Sequence, residues 1–216
     1  EHVPVHHTYE IAQSEAFSGK KFVKYWLHNE HLTVDGAKMS KSDGTAYSVA
    51  DIVERGYVPM VLRYFFLGAH YRSKQNFTWE ALDSAKSALE SLSEQILSHK
   101  LSGGVVNQDF KVKFMEALEN DFNIPQALSI VFELLKSNIA SADKYATIID
   151  FDQVLGLGLA DLQEIEIPEE IKQIAEARWL AKQNKDWPEA DRWRDKLSDL
   201  GWQMEDNKDD YKLKKN

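Results

Sequence analysis

A chain of 216 residues is long enough for one or two domains with a real core, and 43% hydrophobic with 28% charged residues is the balance of a soluble globular protein. It has no cysteine, which excludes a disulfide framework, a thiol nucleophile and a Cys-ligated metal site built from these residues, and fits a cytoplasmic setting. The formal charge of -9 argues against a free-standing nucleic-acid module, and no apolar run approaches the roughly 20 residues that cross a bilayer.

The opening residues Glu1-His2-Val3-Pro4 have neither the basic region nor the apolar core of a signal peptide. Phe22 to Leu27 reads as a strand from its β-branched and aromatic content, and Leu32-Thr33-Val34 as a second, short one. Asp35-Gly36 predicts a tight hairpin turn, and Lys38 to Thr45 a loop. Helical spacing begins at Val49 with Ser48 as N-cap, and Pro59 opens another helix running to Leu67. A longer helix is predicted from near Thr78 to near Lys100, with an apolar stripe of Leu82, Ala85, Leu89, Leu92, Ile96 and Leu97.

Further helices are expected over Asp109–Asn120 and Pro125–Ser137, with Pro125 holding Ile124 extended. Gly156-Leu157-Gly158 interrupts the pattern, and the acidic stretch Glu164 to Glu170 reads as a linker. Two last helices cover Glu169–Gln183 and Pro188–Leu200, the second ended by Gly201. The charged tail from Asp206 is either a short hairpin or disordered.

The segment with chemical content is Lys38-Met39-Ser40-Lys41-Ser42. Two flexible ammonium groups three residues apart can reach a triphosphate and offset charge that develops in nucleotidyl transfer. Serine hydroxyls and loop amides can add hydrogen bonds. A Lys-x-x-Lys turn taken alone also reads as a solvated basic loop.

The full KMSKS pentapeptide, after a strand and turn and before a helix, resembles the second signature of class I aminoacyl-tRNA synthetases. Surrounding segments are similar to the cysteinyl-tRNA synthetases in particular. His6-His7-Thr8-Tyr9-Glu10-Ile11-Ala12-Gln13-Ser14-Glu15 resembles their HHENEIAQSE, and Tyr25-Trp26-Leu27-His28-Asn29 their YWMHN. Val61 to Leu67 with His70-Tyr71-Arg72-Ser73, Asp121 to Leu128, and Lys185-Asp186-Trp187-Pro188-Glu189-Ala190-Asp191 match further family stretches in the same order.

The resemblance implies a mainly α chain in four parts. Residues 1–48 would be the last part of a Rossmann-type catalytic domain, 49–77 a connecting stem, 78–163 a DALR-type helical bundle, and 164–216 an anticodon-binding domain. It implies ATP-dependent activation of cysteine and its transfer to tRNA-Cys by a monomeric cytoplasmic enzyme. ATP would be bound by Lys38, Met39, Ser40, Lys41 and Ser42, with Lys41 the main catalytic cation and Lys38 in support.

The family ligates the substrate thiolate to zinc through two cysteines, a histidine and a glutamate, and the matching positions here are His6 and Glu10. Both cysteine ligands and the HIGH motif belong to a part missing from this sequence, so the chain reads as a C-terminal fragment, inactive in isolation. Thr8-Tyr9, Asp43 and Thr45 also depart from the family pattern.

Anticodon contacts are implied for Lys182, Trp187, Asp191 and Asp206. From the residues alone Trp187 reads first as a core aromatic at a helix start, and only the resemblance makes a base contact an equal reading; the two aspartates also read as caps or solvated groups. His70, Tyr71 and Arg72 either approach tRNA or form a packed connection to the catalytic domain. Two other readings share part of this pattern. One is a tRNA-binding module without catalysis; the other is the cysteine ligase of mycothiol synthesis, against which the Lys185 to Asp191 match speaks.

Overall fold

The computed structural model describes residues 3–40, 42, 44–163, 166–207 and 210–215. The chain is mainly α, as expected, and forms two compact units, 1–162 and 163–216, each with its own core.

The first unit opens with a π-helical turn, Val3–His7, that runs into α1, Thr8–Ser18. Gly19 ends α1 at φ 65, where a side chain would be strained, and its N–H bonds to the Glu15 carbonyl at 2.9 Å. α1 buries none of its residues. The strand expected over Phe22 to Leu27 does not form: the segment lacks strand pairing, with Tyr25 90% and Leu27 65% exposed. A strand exists only where a neighbouring edge takes its ladder hydrogen bonds, and among the described residues none of the three strands of this unit pairs with it.

Those three strands are β1, Leu32–Val34, β2, Ala37–Lys38, and β3, Gln75–Phe77, in the order β2-β1-β3. β1 and β2 form the hairpin foreseen at Asp35-Gly36, whose φ values of 50 and 77 match the type I′ turn that suits strand twist. β3 had no signal of its own, being short and polar. It pairs parallel to β1, placing Val34 opposite Phe77 in the core. The Asn76 side chain accepts hydrogen bonds from Gly36 N at 2.7 Å and Thr33 Oγ1 at 3.0 Å, tying β3 to the turn.

α2, Val49–Glu54, starts at a full capping box: Ser48 Oγ accepts from Asp51 N, and the Asp51 carboxylate accepts from Ser48 N at 2.6 Å. α3, Pro59–Leu67, has its proline in the first turn, and α4, Trp79–Leu97, is capped by Thr78. Of the expected stripe on α4, all but the half-buried Leu97 are buried. α5, Gln108–Glu119, α6, Ile124–Lys136, and α7, Ser141–Leu155, complete the bundle around Phe114 and Phe151, which stack at 4.0 Å between centroids.

Ile124 is not extended as expected but opens α6, with Pro125 following it in the first turn. Two left-handed residues, Asp121 and Phe122, both at φ 54, reverse the chain there, and Asn123 caps Gln126 N. A first-turn proline loses no helical hydrogen bond, so burial of Ala127, Leu128, Val131 and Leu134 outweighs the local preference.

The second unit pairs α8, Glu169–Gln183, with α9, Trp187–Asp199, followed by β4, Trp202–Asp206, and β5, Tyr211–Lys215. The tail is therefore the hairpin alternative, with Asp206 opposite Tyr211. Its core is Ile171, Ile174, Ala175, Leu197 and Trp202. Part of the expected linker, Glu164 and Ile165, lies outside the described residues.

Candidate functional site

The KMSKS segment leaves the sheet at the end of β2. Lys38 is exposed and registers with Thr33 across the hairpin, while Met39 turns back and packs on the core. The loop is then tied at its neck. Thr45 N donates to the Ser40 carbonyl at 3.0 Å, and Ser40 N donates to Thr45 Oγ1 at 3.0 Å. Ser40 and Ser42 hydroxyls lie 2.7 Å apart. On the far side Tyr47 packs against Phe77 and Trp79, with centroids at 5.7 and 4.9 Å.

Met39 and Tyr47 thus anchor the two described ends of the loop to the core. Lys41, the residue expected to carry most of the chemistry, lies outside the described residues, as does Asp43. Thr45, which stands where the family pattern differs, is the residue that closes the neck, a role the spacing did not signal. Beside the loop a polar recess of about 400 Å³ is lined by Tyr47, Asp51, Glu54 and Arg55. The Arg55 guanidinium lies 3.9 Å from the centroid of the Trp79 ring, a geometry that holds the cation in place.

His6 and Glu10 share the continuous helical run at the start of the chain, and both are exposed. Their neighbour His7 clusters with Trp26 and His28, all three ring centroids within 6.0 Å of one another, with its Nδ1 2.6 Å from His28 Nε2. Among the described residues no three His, Cys, Asp or Glu side chains converge on one point. Two ligands do not make a tetrahedral zinc site, so the residues present do not fit that metal by themselves and no chemical step is derived through it.

Among the described residues the side chains of His70, Tyr71 and Arg72 bond to the helical bundle and not to the catalytic part. Tyr71 Oη donates to Asp121 Oδ1 at 2.5 Å, Arg72 Nε lies 3.2 Å from Asp121 Oδ2, and His70 Nε2 is 2.9 Å from the Asp121 carbonyl. These contacts fasten the end of α3 to the left-handed turn between α5 and α6. An apolar cleft of about 510 Å³ lies alongside, lined in part by Leu27, His31, Phe66, Tyr71 and Phe122.

In the second unit the structure brings two of the four expected contacts together. Lys182 Nζ donates to Asp206 Oδ2 at 2.7 Å. Arg178, one turn earlier on α8, binds the same carboxylate with both guanidinium ends, at 2.8 and 3.1 Å. Its hydrogen bonds are the main reason that the Asp206 carboxyl titrates below the usual carboxylate range. Arg178 was missed in the sequence, although its i, i+4 spacing to Lys182 placed two cations on one helix face.

Trp187 and Asp191, at the start and second turn of α9, are not among the hydrogen-bond or ion-pair partners of Asp206 in the described residues. Trp187 is 56% exposed, so it is not a core aromatic, and Asp191 pairs with Arg194 at 3.0 Å. Trp179 and Tyr211, unremarked in the sequence, approach with centroids 5.6 Å apart beside the Asp206 cluster.

Comparison with known proteins bears on both units. Residues 3–87 match the model of the tRNA synthetases class I (C) catalytic domain, and residues 113–160 that of the DALR domain. Cysteine–tRNA ligase 1 of Burkholderia lata is 40% identical over 216 aligned positions, covering 99% of this chain and 46% of that protein. The cysteine–tRNA ligase of Opitutus terrae is 40% identical across 96% of the chain and 45% of its own length, and that of Protochlamydia amoebophila 37% across 97% and 48%. The chain spans about half the length of the curated relatives it matches. With a catalytic-domain match ahead of a DALR match, and identity running along nearly all of its residues, the chain belongs to the cysteine–tRNA ligase family and corresponds to the C-terminal half of its members.

Proposed function

We propose that this chain is the part of a cytoplasmic cysteine–tRNA ligase that carries the ATP-phosphate loop and the tRNA-reading unit. In the intact protein the reaction is activation of cysteine by ATP and transfer of cysteine to tRNA. The observation that carries this reading is the KMSKS pentapeptide inside the class I catalytic match, in a chain 40% identical over 99% of its residues to a cysteine–tRNA ligase.

Activation moves negative charge onto the departing pyrophosphate. A cation that follows the charge stabilises the transition state more than the ground state, and so raises the rate instead of only tightening binding. Lys41 is assigned that role, with Lys38 in support at the edge of β2. The hydrogen bonds between Ser40 and Thr45 hold the two sides of the loop together at its base. His6 and Glu10 are assigned to the zinc-binding set of the intact enzyme, completed by ligands from elsewhere. Lys182, Trp187, Asp191 and Asp206 are assigned to the tRNA anticodon.

Lys41→Ala in the intact enzyme is expected to slow cysteine-dependent ATP–pyrophosphate exchange by about a hundredfold or more, while cysteine affinity changes little. Equal losses in rate and in cysteine affinity would overturn the assignment. For the chain itself, salt-sensitive binding of tRNA-Cys in a filter assay is the expected result. Binding by a protein whose full-length form shows no cysteine activation would instead favour a tRNA-binding module.

A further inference from the structure

The far anchor of the KMSKS loop rests on an aromatic seat that is itself held in place. Tyr47 meets the Trp79 ring edge-on, with centroids 4.9 Å apart. Phe77 of β3 packs on Trp79 at 5.2 Å, Tyr57 stacks on it at 6.0 Å, and the Arg55 guanidinium lies 3.9 Å from its centroid. Tyr57 is fixed in turn, since its hydroxyl donates to Asp83 Oδ1 at 2.6 Å, one turn further along α4. Trp79 opens α4 just after β3, so the frame beneath it is the sheet and the bundle.

Arg55 contributes to this seat without any other bond to its charge. It ends α2, where its N–H bonds to the Asp51 carbonyl at 3.2 Å and fixes its backbone. The residue is exposed and forms no ion pair among the described residues, although Asp51 and Glu54 line the same recess as Gly44 and Ala46 of the loop. The Asp51 carboxylate is engaged by the Ser48 amide and hydroxyl, at 2.6 and 2.7 Å. A guanidinium over an indole face, and 5.9 Å from the Tyr47 ring, is attracted by the negative faces of both. From Tyr47 the constraint reaches the neck in a short step. Thr45 stands two positions earlier, it exchanges hydrogen bonds with Ser40 at 3.0 Å each way, and Ser40 immediately precedes Lys41 in the sequence.

We propose that Arg55 and Trp79 are positioning residues for cysteine activation: their stack holds Tyr47, and through it the Ser40–Thr45 neck, as the fixed base from which Lys41 acts on the departing pyrophosphate. Neither side chain meets the reacting atoms. A base fixed before charge develops spares the reorganisation that a loose loop would need in the transition state. The inference rests on the reading of KMSKS as the ATP-phosphate loop.

The test pairs hydrogen exchange on the 216-residue chain with kinetics of the intact enzyme. In R55A the Ser40 and Thr45 amides should exchange with solvent about fivefold faster, while amides in the middle of α4 and the circular dichroism melt stay unchanged. In the intact enzyme R55A should lower kcat for cysteine-dependent ATP–pyrophosphate exchange about fivefold, with the KM values for ATP and cysteine unchanged. W79A should lose more, and W79F, which keeps an aromatic face, should restore most of that loss. Adding R55A to Lys41→Ala should cost nothing further, because the position of the loop matters only through that cation. Additive losses, or neck amides that exchange as in the wild type, would overturn the inference. So would a raised KM for ATP with kcat intact, which would mark Arg55 as a direct phosphate ligand. If Lys41→Ala itself leaves pyrophosphate exchange unaltered, the phosphate-loop reading fails and the inference with it. A slow Lys41→Ala enzyme beside an unaffected R55A enzyme would sink the inference alone.

Discussion

Asp206 is held by two cations from successive turns of one helix, and that arrangement has a consequence for acid stability. Arg178 first, and Lys182 after it, keep the carboxyl below the ordinary range in the folded chain. A carboxyl whose folded pKa is depressed adds stability above its unfolded pKa of about 3.9, and loses it as the pH falls through the lower folded value. D206N should therefore be less stable than the wild type near neutral pH. The gap should close as denaturant melts are carried to about pH 2, and a gap independent of pH would contradict the ion-pair account. Lys182 and Asp206 were both legible as candidates, because each stands at a matching position. Arg178 was not, since its importance comes from a hairpin that returns to α8 across 28 positions of chain. Lys41 remains the residue on which the proposed chemistry turns, and its activation assay is the measurement that tests it.

The elements follow local spacing where capping and amphipathic burial agree. Ser48 caps the helix it was expected to cap, α4 begins beside Thr78 as expected, and the α4 stripe faces the core. Gly104 is a different case, because its small size matters through a contact between elements. A Cβ there would lie 1.9 Å from the Ala142 carbonyl oxygen and 2.2 Å from its carbon, where backbone cannot yield cheaply. Gly104→Ala should push the segment before α5 away from the start of α7 and cost about 1–3 kcal/mol or more in urea denaturation. A neutral effect would mean that the approach of Gly104 to α7 is looser than described. The Phe22 to Leu27 segment teaches the converse. Its residues suit a strand, yet the pairing edge that would make it one is absent among the described residues.

Over the whole chain, two cores divide the stability. Phe151 is 1% exposed in the first core and Leu197 1% in the second. Phe151→Ala is expected to cost about 3–5 kcal/mol and Leu197→Ala about 2–5 kcal/mol, each within its own unit. Backbone hydrogen exchange should show faster opening of 1–162 in the first variant and of 163–216 in the second; loss of protection in both units from either change would mean a single cooperative core. The sequence by itself determined the hairpin at Asp35-Gly36, the helix caps, the apolar stripes and the family, because each is written in residues close together along the chain. Only the tertiary structure decided that Gln75–Phe77 is a strand, that Ile124 is helical, and that Arg178 governs Asp206. Those outcomes depend on partners 28 to 43 positions away or on burial that overrides a local preference, and spacing within a short window carries no record of either.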